Sequence, residues 1–211
     1  MGSLRSTALI SMILLVTFIL LGVVVASVIT GITSETTGAT EEHNYEQMVE
    51  ETIDEITTYI QIRDQKGKYY EVDGQMEIQK IALLISPLVS QDIDVTGLTI
   101  MLDNGENVKV LYYSGSSSNL NSDKLFEHTI WDSLDSNDVS FITIIDDDSS
   151  LVNFNTINDY RDNAYLIFKL LPDMQLCKKD KMVITLFPSS GIDRTIFLEA
   201  PPALTSVVDF V

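Results

Sequence analysis

Two different periods of apolar residues divide the chain. From Ala8 to Ile29 every position is apolar except Ser11, Thr17, Gly22 and Ser27, and Arg5 is the only charge before Glu35. As an α-helix rising about 1.5 Å per residue, this stretch reaches ~33 Å, enough to cross a hydrocarbon core. The run Thr36-Thr37-Gly38-Ala39-Thr40 loosens the pattern, because glycine and β-branched residues are weak helix formers. Helical spacing then returns with Tyr45, Val49, Ile53, Ile56 and Tyr59 or Ile60, and no proline occurs before Pro87. The pattern predicts one long helix from about Leu4 to about Ile62, with a soft joint over 34–40. Its length of ~88 Å exceeds what a membrane requires. A plain anchor does not need such a helix; the spine of an assembly does.

From Lys68 onward the period shortens. Segments such as "EIQKIALLISP", "ENVKVLYYSG", "VSFITIID", "AYLIFKLL", "KMVITLFP" and "RTIFLEAP" are short and rich in β-branched and aromatic residues. Clusters of Asn, Asp, Gly, Ser and Pro separate them, as expected of strands and turns. Asn104-Gly105, between two apolar runs, is a hairpin signal. Seven to nine strands at this spacing predict an antiparallel β-sandwich or barrel-like domain. The stretch "SGSSSNLNSDKLFEHTIWDSLDSND" reads as an irregular surface excursion held by Leu125, Phe126, Ile130 and Trp131. The expected fold class is α+β, with a helical domain over 1–62 and a β domain over 63–211.

Charge narrows the functional classes. The 211 residues include 13 basic and 31 acidic side chains, for a formal charge of −18. A chain this acidic, with no basic stripe, is unsuited to nucleic acid or to anionic lipid headgroups. Glu42, Glu46, Glu50 and Asp54 recur every four residues along the second half of the predicted helix. They form either a solvated face or one neutralised by cations or by basic side chains of neighbouring copies. Arg63, Lys66, Lys68, Lys178, Lys179 and Lys181 are the candidates for that pairing. Cys177 is the single cysteine, so no intrachain disulfide is available, and a buried free thiol is expected despite the adjacent Lys178 and Lys179.

Candidate chemistry is sparse. His43 and His128 have no nucleophile motif beside them, and the chain carries no phosphate loop, zinc spacing or dinucleotide fingerprint, so no catalytic residue is assigned. Asp146, Asp147 and Asp148 end a predicted strand, with Asn153, Asn155, Asp159 and Asp162 following. Clustered hard oxygens suit Ca²⁺, although the spacing is not that of an EF-hand; the alternative is a polar turn.

The run "KIALLISPLVSQDIDVTGLTIMLDNGENVKVLYY", then "FITIIDDDSS", "AYLIFKLL" and "MVITLFPSSGIDRTIFLEAPPAL", following a hydrophobic and then acidic helix, resembles the archaeal flagellins, or archaellins. These are type IV pilin-like filament subunits, and the likeness spans nearly the whole chain. It implies a long N-terminal helix joined to an immunoglobulin-like β-sandwich. It also implies a structural, non-enzymatic role: copies polymerise through the helix into an extracellular filament that is rotated for swimming. The implied partners are the chain itself, paralogous archaellins, an assembly platform in the membrane and a prepilin-type peptidase. No cofactor is required by the resemblance, though a cation site in the outer domain, Ca²⁺ at Asp146–Asp148, is compatible with it.

Several features depart from the family pattern. Met1–Thr7 is polar, Arg5 lies near the tip, no basic leader ending in glycine precedes Met1, and no Asn-x-Ser/Thr sequon is present. Met1 is therefore expected to be the mature terminus. The helix is expected to lie in the cytoplasmic membrane before assembly, with Arg5 inside. Gly22 and Ala26 form a small-xxx-small pair extended by Thr30 and Ser34, which allows close approach of neighbouring helices. With Leu14, Phe18, Leu21, Val25 and Ile29 they make the predicted subunit-packing set. Two other readings share the helix: an adhesive type IV-like pilin, and a membrane-anchored surface binding domain.

Overall fold

The computed structural model describes Met48 and residues 59–120, 124–189 and 192–210. Met48 is helical, and the chain separates into a unit ending at Glu50 and a unit from Glu51 onward. The predicted long helix, its joint, its acidic stripe and its packing residues Leu14 to Thr30 lie outside the described residues.

Among the described residues, the second unit is a β domain of eleven strands. These are β1 (Ile60–Val72), β2 (Gln75–Pro87), β3 (Ile93–Asp94), β4 (Thr99–Asp103), β5 (Val108–Asn119), β6 (Asp138–Ile145), β7 (Thr156–Ile157), β8 (Asn163–Lys169), β9 (Lys181–Phe187), β10 (Arg194–Glu199) and β11 (Val207–Asp209). Two short helices, α1 (Ile130–Ser133) and α2 (Ser150–Phe154), lie between strands. β1 opens at Ile60, so Ile60–Ile62, assigned from periodicity to the helix end, are strand. Their ladder to Pro87, Ser86 and Ile85 of β2 overrides the local helical spacing. The β1–β2 hairpin closes on Asp73-Gly74, both with positive φ (50° and 82°), the conformation that such tight turns require. The predicted Asn104-Gly105 hairpin is present between β4 and β5, with the Asn104 side chain accepting hydrogen bonds from the Glu106 and Asn107 amides.

Hydrogen bonding links nine strands in the order β10-β9-β4-β5-β6-β8-β2-β1-β11, with β3 and β7 forming a separate pair. The sheet is antiparallel except at β5–β6, which is parallel, a departure from the all-antiparallel expectation. The exception arises because β5 belongs to two ladders. Its residues 108–112 pair with β4, and from Tyr112 to Asn119 it pairs with β6. Gly115 at φ 73° and a register break between Tyr113 and Ser117 mark the change of direction. The "SGSSSN" run, expected to be irregular, is thus strand. Hydroxyls of the run are engaged: Ser117 donates to the Leu151 carbonyl at 3.2 Å, and the Ser116 hydroxyl meets that of Ser140, which also donates to the Ser116 carbonyl at 2.6 Å.

The two halves of this sheet share one core. Leu83, Phe141, Leu166 and Phe168 from one half meet Ile100, Ile184, Leu186 and Leu198 from the other, so the sheet is folded over on itself as two layers. A smaller core lies on the opposite face of β2, β6 and β8. There Ala82, Ile142, Tyr165 and Ile167 are covered by Phe126, Ile130, Trp131 and Leu134. Burial on both faces explains why "IALLIS" and "YLIFKLL" read as continuous apolar runs rather than alternating ones. The excursion predicted to be held by Leu125, Phe126, Ile130 and Trp131 is this cover. Trp131 is fully buried and donates Nε1–H to the Leu125 carbonyl at 2.7 Å. His128 is buried too: the Ile130 amide donates to Nδ1, and Nε2 lies 3.1 Å from the Asn119 carbonyl. That environment makes it a structural pin of the cover.

Trp131→Ala removes the largest side chain of this cover, and the expected cost is about 3–5 kcal/mol. Denaturant unfolding of the purified chain measures it; a loss below about 1 kcal/mol would show that the cover is not part of the cooperative fold.

Candidate functional site

The predicted site residues of the β domain meet at one corner. β6 ends at Ile145 and releases Asp146, Asp147 and Asp148 into a turn that enters α2 through Ser149, a residue with φ of 58°. After β7 the chain returns through Asn158, Asp159 and Asp162 to start β8. Asp147, Asp148, Asn158, Asp159, Arg161 and Asp162 line a cleft of about 200 Å³.

Four of the carboxylate oxygens at this corner hold backbone amides. Asp146 Oδ1 and Asp148 Oδ1 both accept from the Ser150 amide, at 2.9 and 3.0 Å, and so close the first turn of α2. Asp148 Oδ2 accepts from Asn158 Nδ2 at 2.8 Å, tying the two turns together. Asp162, almost fully buried, accepts from the Asn158 and Asp159 amides. Arg161 pairs with both Asp159 oxygens at 3.2 Å. Asp146 Oδ2 is buried and receives no hydrogen bond.

The electrostatics follow from these contacts. Burial pushes the Asp146 carboxyl above the usual carboxylate range. The hydrogen bonds from Ser150 oppose this, while Asp162 and the Asp148 carboxylate add to it. Asp148 is held below that range by Asn158 and the Ser150 amide, and Asp159 by Arg161. Neighbouring carboxyls are therefore pushed apart in pKa by environment alone. The corner brings the three predicted aspartates into one turn. Even so, among the described residues no three His, Cys, Asp or Glu side chains are gathered as metal ligands.

The other candidates are dispersed. Burial, then Asp180 and Glu77, raises the Cys177 thiol, so Lys178 and Lys179 do not activate it. The thiol is half-buried and not enclosed as expected. Of the lysines proposed to meet the acidic helix, Lys66 is already committed, at 2.9 Å to Asp64 and 2.5 Å to Asp209. Burial alone would lower its pKa; the hydrogen bonds to Asp209 and Asp64 outweigh that and raise it. The Lys66–Asp209 pair helps seat β11, which approaches closely because Gly67 has no Cβ to meet the Phe210 ring. Sequence reasoning missed β1 and β11 entirely. Asp73-Gly74 between "KYYEV" and "QMEI" was the signal that could have found β1.

No protein-family model matches the chain, and no curated protein matches it in sequence. Its fold does have relatives among solved structures. The archaeal flagellin FlaB1 from Methanocaldococcus jannaschii superimposes with a TM-score of 0.63 at 25% identity, covering 72% of this chain and 95% of that one. The archaeal flagellum of Methanospirillum hungatei strain JF1 matches with a TM-score of 0.51 at 10% identity, covering 96% of this chain and 98% of that one. The resemblance carried by the sequence motifs thus extends to the fold, and the β domain of this chain is archaellin-like.

Proposed function

We propose that this chain is a structural subunit of an archaellum filament. One observation carries the reading: the 25% identity and TM-score of 0.63 shared with an archaeal flagellin along nearly that protein's whole length. In this reading the residues that precede β1 form the α-helical half of an α+β chain. The helix is held in the cytoplasmic membrane with Arg5 inside, then transferred to the interior of an extracellular polymer. The small residues Gly22 and Ala26 let neighbouring helices approach. Once lipid is replaced by protein surrounded by water, burial of ten or more large apolar side chains contributes on the order of tens of kcal/mol per subunit. Maturation by a prepilin-type peptidase, delivery by a membrane platform and copolymerisation with paralogous subunits complete the proposal. Deleting the gene is expected to remove filaments and swimming. Complementation with the natural chain restores both, whereas Gly22→Leu restores neither although the chain is still made. A deletion strain that swims normally but no longer adheres would replace this reading with that of a pilin.

A second reading concerns the acidic corner, where the buried and unpartnered Asp146 Oδ2 favours a cation. We propose that Asp146, Asp147 and Asp148, with Asp162 beside them, take Ca²⁺, whose six to eight oxygen ligands the turn supplies in part. A carboxyl with a folded-state pKa above its unfolded value carries a penalty that is absent below about pH 4 and complete above the raised value. Without Ca²⁺, Asp146→Asn is therefore expected to melt at a higher temperature than the natural chain at pH 7, with the gain vanishing below about pH 4. Adding about 1 mM Ca²⁺ at pH 7 is expected to stabilise the natural chain and not the variant. Equal shifts in both, or none in either, would reject the site.

A further inference from the structure

The β domain covers one of its outer sheet faces and leaves the other bare. The outer face of β2, β6 and β8 lies under Trp131 and its neighbours. The layer formed by β10, β9, β4 and the first half of β5 has no such cover among the described residues. Its registers align Phe197, Val183, Asp103 and Val108 in one row and Thr195, Thr185, Met101 and Val110 in the next. A third row holds Phe187, Thr99 and Tyr112. The alternating residues Ile196, Leu198 and Leu111 point into the core, so this surface is the solvent side of the pleat. On it Phe197 is 75% exposed, Val108 62% and Tyr112 58%. A cavity of about 480 Å³ opens beside Phe197, between the Asp103–Gly105 turn, Lys181 and Glu199.

Charge identifies what covers it. Residues 99–112 and 178–199 contain five basic and five acidic side chains, net zero in a chain of net −18. Copies of so acidic a chain repel each other over most of their surface. This apolar layer is where they approach without that cost. Lys178 and Lys179 add to the match: at its border they form no ion pair among the described residues, and their complement is an acidic partner. β10 is moreover the outermost strand of the sheet, an open edge that an isolated soluble protein would need to protect.

We infer that this face is the seat of a second copy of the chain, in a head-to-tail contact between neighbouring outer domains of the filament. The inference rests on the filament reading. A face-to-face pair would close as a dimer, whereas a growing polymer requires each copy to offer one surface to a different surface of the next. Phe197 supplies the anchor, and the cavity beside it receives the neighbour.

Filaments from cells producing Phe197→Glu or Phe197→Leu test this, because the side chain lies outside the core and either variant leaves the fold intact, as circular dichroism of the detergent-extracted subunit checks. Phe197→Glu is expected to lower filament yield at least tenfold, and Phe197→Leu to retain it. A second readout is maleimide labelling of Phe197→Cys in a Cys177→Ser chain. The thiol is expected to react at least tenfold more slowly in filaments than in detergent-extracted, unassembled subunits. Normal filaments from Phe197→Glu, or equal labelling rates, overturn the inference while leaving the filament reading standing. A natural chain that forms no filaments overturns both.

Discussion

The β domain depends on the double pairing of one strand. β5 is bonded to β4 through its first half and to β6 through its second, and these are the ladders that join the two layers. Without that shared strand the chain would hold two separate sheets, each with an unpaired edge at its centre. With it, apolar residues of both layers face a single core. The cost is a break in register at Gly115 and an unusual parallel ladder. Ser116 and Ser140 offset part of that cost by meeting through their hydroxyls and the Ser116 carbonyl, so polar atoms buried at the crossing are not left without partners.

Most of the β character was legible in the sequence because these strands are dense in Ile, Leu, Val and Phe. Asn104-Gly105 and the excursion around Trp131 were legible for equally local reasons, a turn with its own chemistry and a cluster of large apolar residues in a polar stretch. What stayed hidden was set by distant partners. Ile60–Ile62 read as helix because Ile56 and Tyr59 precede them at helical spacing; only β2, more than twenty residues on, makes them strand. "SGSSSN" has the composition of a loop and becomes strand because β6 takes its hydrogen bonds. Asp146 to Asp148 were found by composition. That two of them would cap α2 and one would keep a buried, unpartnered oxygen depends on Asn158 and Asp162 returning from β7.

The distribution of charge connects the fold to assembly. A chain of −18 repels its own copies over most of its surface, a repulsion that salt screens. Polymerisation of such a chain needs apolar or neutral surfaces at which copies meet. The proposed filament uses the apolar stretch between Ala8 and Ile29 for one and the bare layer around Phe197 for another, whereas the opposite layer is covered by Trp131 and its neighbours.

The central claim is that this chain builds a filament through its N-terminal segment, with the β domain as the outer shell. Electron cryomicroscopy of filaments sheared from cells, reconstructed to side-chain detail, tests it most directly. The account predicts a helical polymer of this chain in which the segment preceding β1 forms a central α-helical bundle and the β1–β11 domain lies outside. A preparation containing only unpolymerised, membrane-held subunits would contradict it, as would a filament whose interior is built from β domains.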